Sequence, residues 1–143
     1  MQSIKIAKLD PDAYLPTRKH PADAGLDLYA NRTIIIEPHS FAIVSTGITI
    51  EIEEGFVGLL KPKGRSNHLL GAGVVDAGYQ GEILVKVANI NPTRLVINAG
   101  DAIGQLLILP IFTPLVIETQ AKQIHLEDSS RGESGGIVDQ HKK

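Results

Sequence analysis

Asp76 and Tyr79 stand three positions apart in residues 71–82, Gly-Ala-Gly-Val-Val-Asp-Ala-Gly-Tyr-Gln-Gly-Glu. A carboxylate can take a proton from water, as a general base must. A tyrosine ring can stack on another ring. Glycine weakens strands, so this much of it marks backbone that turns sharply or lets a ligand approach. The stretch reads as a hairpin presenting Asp76 and Tyr79 beside something bound. Taken singly, each residue has a plainer reading: Asp76 suits a strand-ending turn, and Tyr79 suits packing.

Residues 61–67, Lys-Pro-Lys-Gly-Arg-Ser-Asn, suit phosphate oxygens, with Arg65 as a planar fork and Ser66 as a short donor. Taken without context a solvated basic turn is the preferred reading, and they are not the Gly-rich P-loop pattern. Asp27 lies between Leu26 and Leu28. A carboxylate there is at least half-buried and needs partners, whether a cation or a metal-bound water. Gln105, inside the apolar run 103–108, must be hydrogen-bonded to backbone or to a ligand. Arg131-Gly132 with Gly135-Gly136 could close over anions or form a loose tail. The five histidines, His68 among them, show no metal-ligand spacing and are assigned no role.

These residues need a scaffold, and the dominant period of the chain is two. Residues 4–9, 26–29, 33–36, 41–52, 56–60, 82–90, 95–97, 103–112 and 114–119 each read as strand. Gly47 is placed for a bulge within the long fourth run. Pro11, Pro16 and Pro21 disfavour a helix early in the chain. No convincing amphipathic helix follows, and the class is all-β, a double sheet or barrel. Residues 1–121 are expected to form the β domain. Residues 122–143, polar and glycine-rich, are expected to form a flexible arm.

The bulk properties narrow the function. A chain of 143 residues with 43% hydrophobic and 21% charged residues is one ordinary globular domain. A net charge of −2 gives no electrostatic case for binding nucleic acid or an anionic membrane. The absence of cysteine removes disulfides, thiolate metal sites and thiol nucleophiles. Residues 1–9 lack the apolar core of a signal peptide, and no run reaches the roughly 20 residues of a membrane span, so a cytoplasmic location is expected.

Five segments in order resemble the motifs of the trimeric dUTP diphosphatase (dUTPase) family. They are residues 23–30 (Asp-Ala-Gly-Leu-Asp-Leu-Tyr-Ala), Gly64-Arg65-Ser66, residues 73–82, residues 100–106 (Gly-Asp-Ala-Ile-Gly-Gln-Leu), and a partial fifth at residues 131–136. The resemblance covers nearly the whole chain. It implies jelly-roll-like (β-clip) subunits in a homotrimer with shared active sites, and hydrolysis of dUTP to dUMP and pyrophosphate with Mg²⁺. That activity limits uracil in DNA and supplies dUMP for thymidylate synthesis. Carried onto this chain, it makes Asp76 the base and Tyr79 the platform under deoxyribose. Backbone around Gly73 and Val74 reads uracil. Arg65, Ser66, Gln105 and Arg131 hold phosphates, and Asp27 supports the metal through water.

Two departures bear on efficiency. The segment after Ser66 is several residues shorter than the family pattern, and the arm runs from Gly135-Gly136 into Ile137-Val138-Asp139-Gln140 with no aromatic cap. Weaker triphosphate binding and lower turnover are expected. A trimer that binds nucleotide or a protein partner with little turnover is the competing reading. The related dCTP deaminase chemistry needs a glutamate where this chain carries Lys86.

Overall fold

A computed structural model describes residues 3–64 and 66–128. The period-two runs become eleven strands: β1 (Lys5–Lys8), β2 (Leu26–Tyr29), β3 (Ile34–Ile36), β4 (Ser40–Ser45), β5 (Ile48–Glu51), β6 (Phe56–Lys61), β7 (Leu69–Leu70), β8 (Gly73–Val75), β9 (Leu84–Asn89), β10 (Leu95–Ile97) and β11 (Ala102–Pro110). No α-helix occurs among the described residues, and one 3-10 turn spans Ala121–Gln123. Every strand pair is antiparallel. A four-stranded sheet runs β2-β11-β6-β8 and a three-stranded sheet β4-β9-β7, with β1-β5 and β10-β3 as separate pairs.

Alternation decides what is buried. On β9, Val85, Val87 and Asn89 point inward, while Leu84 and Lys86 point outward. Leu28, Leu60, Val75 and Leu106 of the four-stranded sheet join Val44, Val85 and Val87 of the three-stranded sheet in one apolar core. Each such side chain contributes about 1.5–3 kcal/mol on burial. Asn89 is a polar residue at a core position. Its amide donates to the carbonyls of Ile36 at 3.0 Å and Thr93 at 2.8 Å, which offsets its desolvation.

Three local expectations differ from the structure. The run 41–52 is two strands, broken where Gly47 takes a φ of 68°. Residues 71–82 do not fold back on themselves as a hairpin: their one strand, β8, pairs with β6, while Glu82 bonds across to Ser45 of β4. The cause is a set of contacts to the β4–β5 corner, described below. Residues 114–119 form no strand, although their β-branched content suits one. Leu115, Val116 and Ile117 are exposed, and an extended segment with no neighbouring strand among the described residues has no ladder to join. The chain divides into two compact units, residues 1–112 and 113–143. All the site residues described next belong to the first.

Candidate active site

The four-stranded sheet places its polar groups at opposite ends. At one end, Gln105 of β11 is the direct partner of Asp27 on β2 and of Lys61 on β6. Asp27 is half-buried, as its apolar neighbours require. It finds its cation in Lys63, whose Nζ binds Oδ1. Gln105 donates its amide to the carbonyl of Pro62 at 3.0 Å. Gly25 gives it room, since a Cβ there would lie 2.2 Å from Oε1 of Gln105. Ser66 follows in the same loop, with its amide donating to the Lys63 carbonyl at 3.1 Å. A depression of about 540 Å³ opens over Lys63, Ser66, His68 and Ala102.

At the other end, Asp76 leaves β8 just beyond the pair Val75–Gly58. Its carbonyl accepts from the Tyr79 amide at 3.0 Å, so Asp76 opens a tight turn and its side chain is exposed. Tyr79 donates its hydroxyl to the Glu82 carbonyl at 2.6 Å. Its ring lies against Gly81, where a Cβ would approach the phenolic oxygen to 2.6 Å. Glu82 anchors the segment: its Oε1 accepts from the Ser45 hydroxyl and, at 2.8 Å, from the Gly47 amide. Thr49 adds a bond to the Gly81 carbonyl at 2.8 Å, and Thr46 one to the Ile83 carbonyl at 2.5 Å. These contacts draw the chain across to the second sheet and fix Tyr79.

β8 is the edge of its sheet, so among the described residues one side of its backbone meets no neighbouring strand. A cavity of about 200 Å³ lies at this edge, walled by Gly73, Val74, Tyr79 and Leu84. That is below the roughly 300–1,000 Å³ of ligand pockets, and fits part of a nucleotide. A second hollow of about 390 Å³ reaches Tyr79 past Ala77, beside Thr49 and Lys5.

The two groups lie apart along the sheet. Gln105 is level with Lys61, while Asp76 lies beyond the level of Gly58. The offset along the strands is at least ~10 Å at 3.2–3.4 Å per residue. Arg65 and Arg131, read as phosphate ligands, lie outside the described residues. Lys86 rests its Nζ 4.3 Å from the Phe41 ring centre.

Sequence reasoning passed over Glu82, Ser45, Thr49, His68 and Asn91 as structural partners. For Glu82 and Thr49 no local signal exists, because the partners are thirty or so residues apart (|i−j| of 35 and 32). Asn89 was legible as a polar residue in the inward register of β9.

A single protein ligand set for a metal is not present: no group of three or more His, Cys, Asp or Glu side chains converges among the described residues. Asp27 offers Oδ2, which has no side-chain partner among the described residues, while Lys63 occupies Oδ1. One carboxylate suits Mg²⁺ carried mainly by water and substrate phosphates.

An antiparallel double sheet with a carboxylate–tyrosine turn at one end and a cationic, amide-bearing loop at the other defines a jelly-roll-like subunit suited to a nucleoside polyphosphate. The sequence profile of the dUTPase family matches residues 12–136. The deoxyuridine 5'-triphosphate nucleotidohydrolase of Mycolicibacterium gilvum is 38% identical over 141 residues, covering 93% of this chain and 92% of that protein. That of Rhodococcus erythropolis is 39% identical over 140 residues, covering 93% and 83%. Among solved structures, the Staphylococcus bacteriophage 80alpha dUTPase with dUPNHPP superposes with a TM-score of 0.84 at 26% identity, covering 93% of this chain and 95% of that one. A dUTPase mutant from phage phi11 of S. aureus, described for its structural Mg(II) ion, gives 0.78 at 26% identity, covering 85% and 99%. The chain belongs to the dUTPase family.

Proposed function

We propose that the chain hydrolyses dUTP to dUMP and pyrophosphate as a homotrimer whose active sites are shared between subunits. Family membership supports the reaction. The observation that supports the shared site is the separation of Asp76 and Tyr79 from Asp27, Gln105 and Ser66 along one sheet. A cyclic assembly juxtaposes one end of a subunit with the other end of its neighbour, so each site takes its base from one chain and its phosphate loop from the next.

In this reading Asp76 accepts the proton of the attacking water. Its exposure in the turn leaves the carboxylate open to that water. Tyr79, held by Glu82, lies under the deoxyribose and excludes a 2′-hydroxyl. The open edge of β8 at Gly73 and Val74 offers donors and acceptors of fixed type to the uracil edge, which separates uracil from cytosine. Ser66 and Gln105 hold phosphate oxygens from the loop side, joined by Arg65 and, from the arm, Arg131. Asp27 orders water toward the metal. When bound, Mg²⁺ neutralises and orients the triphosphate oxygens.

Pyrophosphate release from dUTP, measured beside dCTP and dTTP and with and without a chelator, tests this reading. Release confined to dUTP and lost on chelation is the expected result. A chain that releases no pyrophosphate from dUTP is not a dUTPase in function.

A further inference from the structure

We propose that His68 is a positioning residue, setting the phosphate-side loop against β11. The inference rests on the dUTPase reading of that loop. His68 closes the loop between β6 and β7 and is only 7% exposed. A buried imidazole needs partners on both nitrogens, and it has them. Nε2 donates to the Ile103 carbonyl at 2.9 Å, and Nδ1 stands 3.0 Å from the side-chain amide of Asn67, whose NH₂ is the half that can donate to it. A carbonyl only accepts, so Nε2 carries a proton. The bond therefore runs from the loop to the strand two residues before Gln105, beside the irregularity between Ala102 and Gly104.

A second tether continues from the same point. The Asn67 carbonyl accepts from Asn91 Nδ2 at 2.9 Å, and Asn91 bonds in turn to Asn89 Oδ1 at 3.0 Å. Asn89 is buried in the core face of β9. The carboxyl-terminal end of the loop is thus fixed to both sheets. The amino-terminal end is fixed by Lys63 to Asp27 and by Pro62 to Gln105. Ser66 sits between the two clasps. A loop shortened after Ser66 has little slack, and His68 converts that short connection into a fixed distance between Ser66 and Gln105. Asp76 and Tyr79 lie beyond the far end of β8 and have no part in this set of bonds.

The test compares binding of a non-hydrolysable dUTP analogue with binding of dUMP, by calorimetry on the full chain. His68→Phe keeps the bulk and removes both bonds. The analogue is expected to bind about tenfold more weakly, the value of one to two hydrogen bonds, while dUMP stays within about twofold. His68→Gln, whose Nε2 can still donate to the Ile103 carbonyl, is expected to recover most of the difference. Asn91→Ala cuts the outer tether, while the Asn91 backbone amide still donates to Asn89 Oδ1 at 3.0 Å, and is expected to give the same split, about threefold, so the proposal is testable even where His68→Phe fails to fold. Equal loss of both ligands, or no loss of either, overturns the proposal. A wild-type chain that binds neither ligand overturns the dUTPase reading, and the proposal with it. Wild-type binding without the split overturns the proposal alone.

Discussion

Asp27 and Gln105 are direct partners across β2 and β11, and the loop beyond β6 closes on both, through Lys63 on the carboxylate and Pro62 on the amide. Three segments far apart in sequence thereby make one polar surface. The base of the proposed reaction lies elsewhere on the same sheet, and the predictions below follow from that division.

Asp76→Asn keeps the turn, since the carbonyl that binds the Tyr79 amide is unchanged. It removes the proton acceptor. Turnover of dUTP is expected to fall about 10²–10⁴-fold, with the affinity for a non-hydrolysable analogue little altered. Pyrophosphate release and calorimetry together check this. Turnover that survives the substitution removes Asp76 from the mechanism.

A shared site makes complementation measurable. Asp76→Asn and Gln105→Leu chains, each impaired alone, are to be denatured together and refolded as a mixture. In randomly mixed trimers about one quarter of sites join an intact Asp76 to an intact Gln105 from the neighbour. Recovery near that fraction is expected. A mixture no more active than its parents places both residues in one subunit's site.

Gly25→Ala tests the seat of Gln105. The new Cβ would lie 2.2 Å from Oε1 and 3.0 Å from Cβ of Gln105, so the amide must swing away from Pro62. The side chain is flexible, and stability is expected to change by only about 1 kcal/mol. KM for dUTP is expected to rise about ten- to a hundredfold, the value of one hydrogen bond to a charged group. An unchanged KM separates Gln105 from substrate binding.

Glu82→Ala removes the acceptor for the Ser45 hydroxyl and the Gly47 amide. A loss of about 1.5–3 kcal/mol is expected, read as a lower urea midpoint. The Tyr79 ring depends on the same segment, so dUTP turnover should fall together with stability. Full turnover in a destabilised protein shows that Tyr79 does not need this anchor.

Asp10 provides a pH test of the fold. The Asp12 amide, then the Asn31 side chain and Arg32, hold its carboxyl below the ordinary aspartate value. A lowered folded-state pKa stabilises above the unfolded-state value of about 4, and that stability is lost as pH falls through the folded-state value. Wild type is therefore expected to exceed Asp10→Asn in stability at neutral pH, with the two converging in acid below about pH 4. Denaturant midpoints across that range decide it, and a constant gap contradicts the assignment.

The sequence by itself determined the strands that alternation and β-branching make autonomous. β2 and β10 match the expected residues 26–29 and 95–97, and the inward register of Val85 and Val87 was readable from the pattern. It also determined the need for partners at Asp27 and Gln105, because burial of a carboxylate or an amide carries a desolvation cost wherever it occurs. The tertiary structure alone decided who those partners are. Lys63, Pro62 and Glu82 act across |i−j| separations of 36, 43 and 35, distances at which no local pattern carries information. The same long-range bonds turned an expected hairpin into a crossing between sheets. Strand register sets Gln105 at one end of the sheet and Asp76 beyond the other.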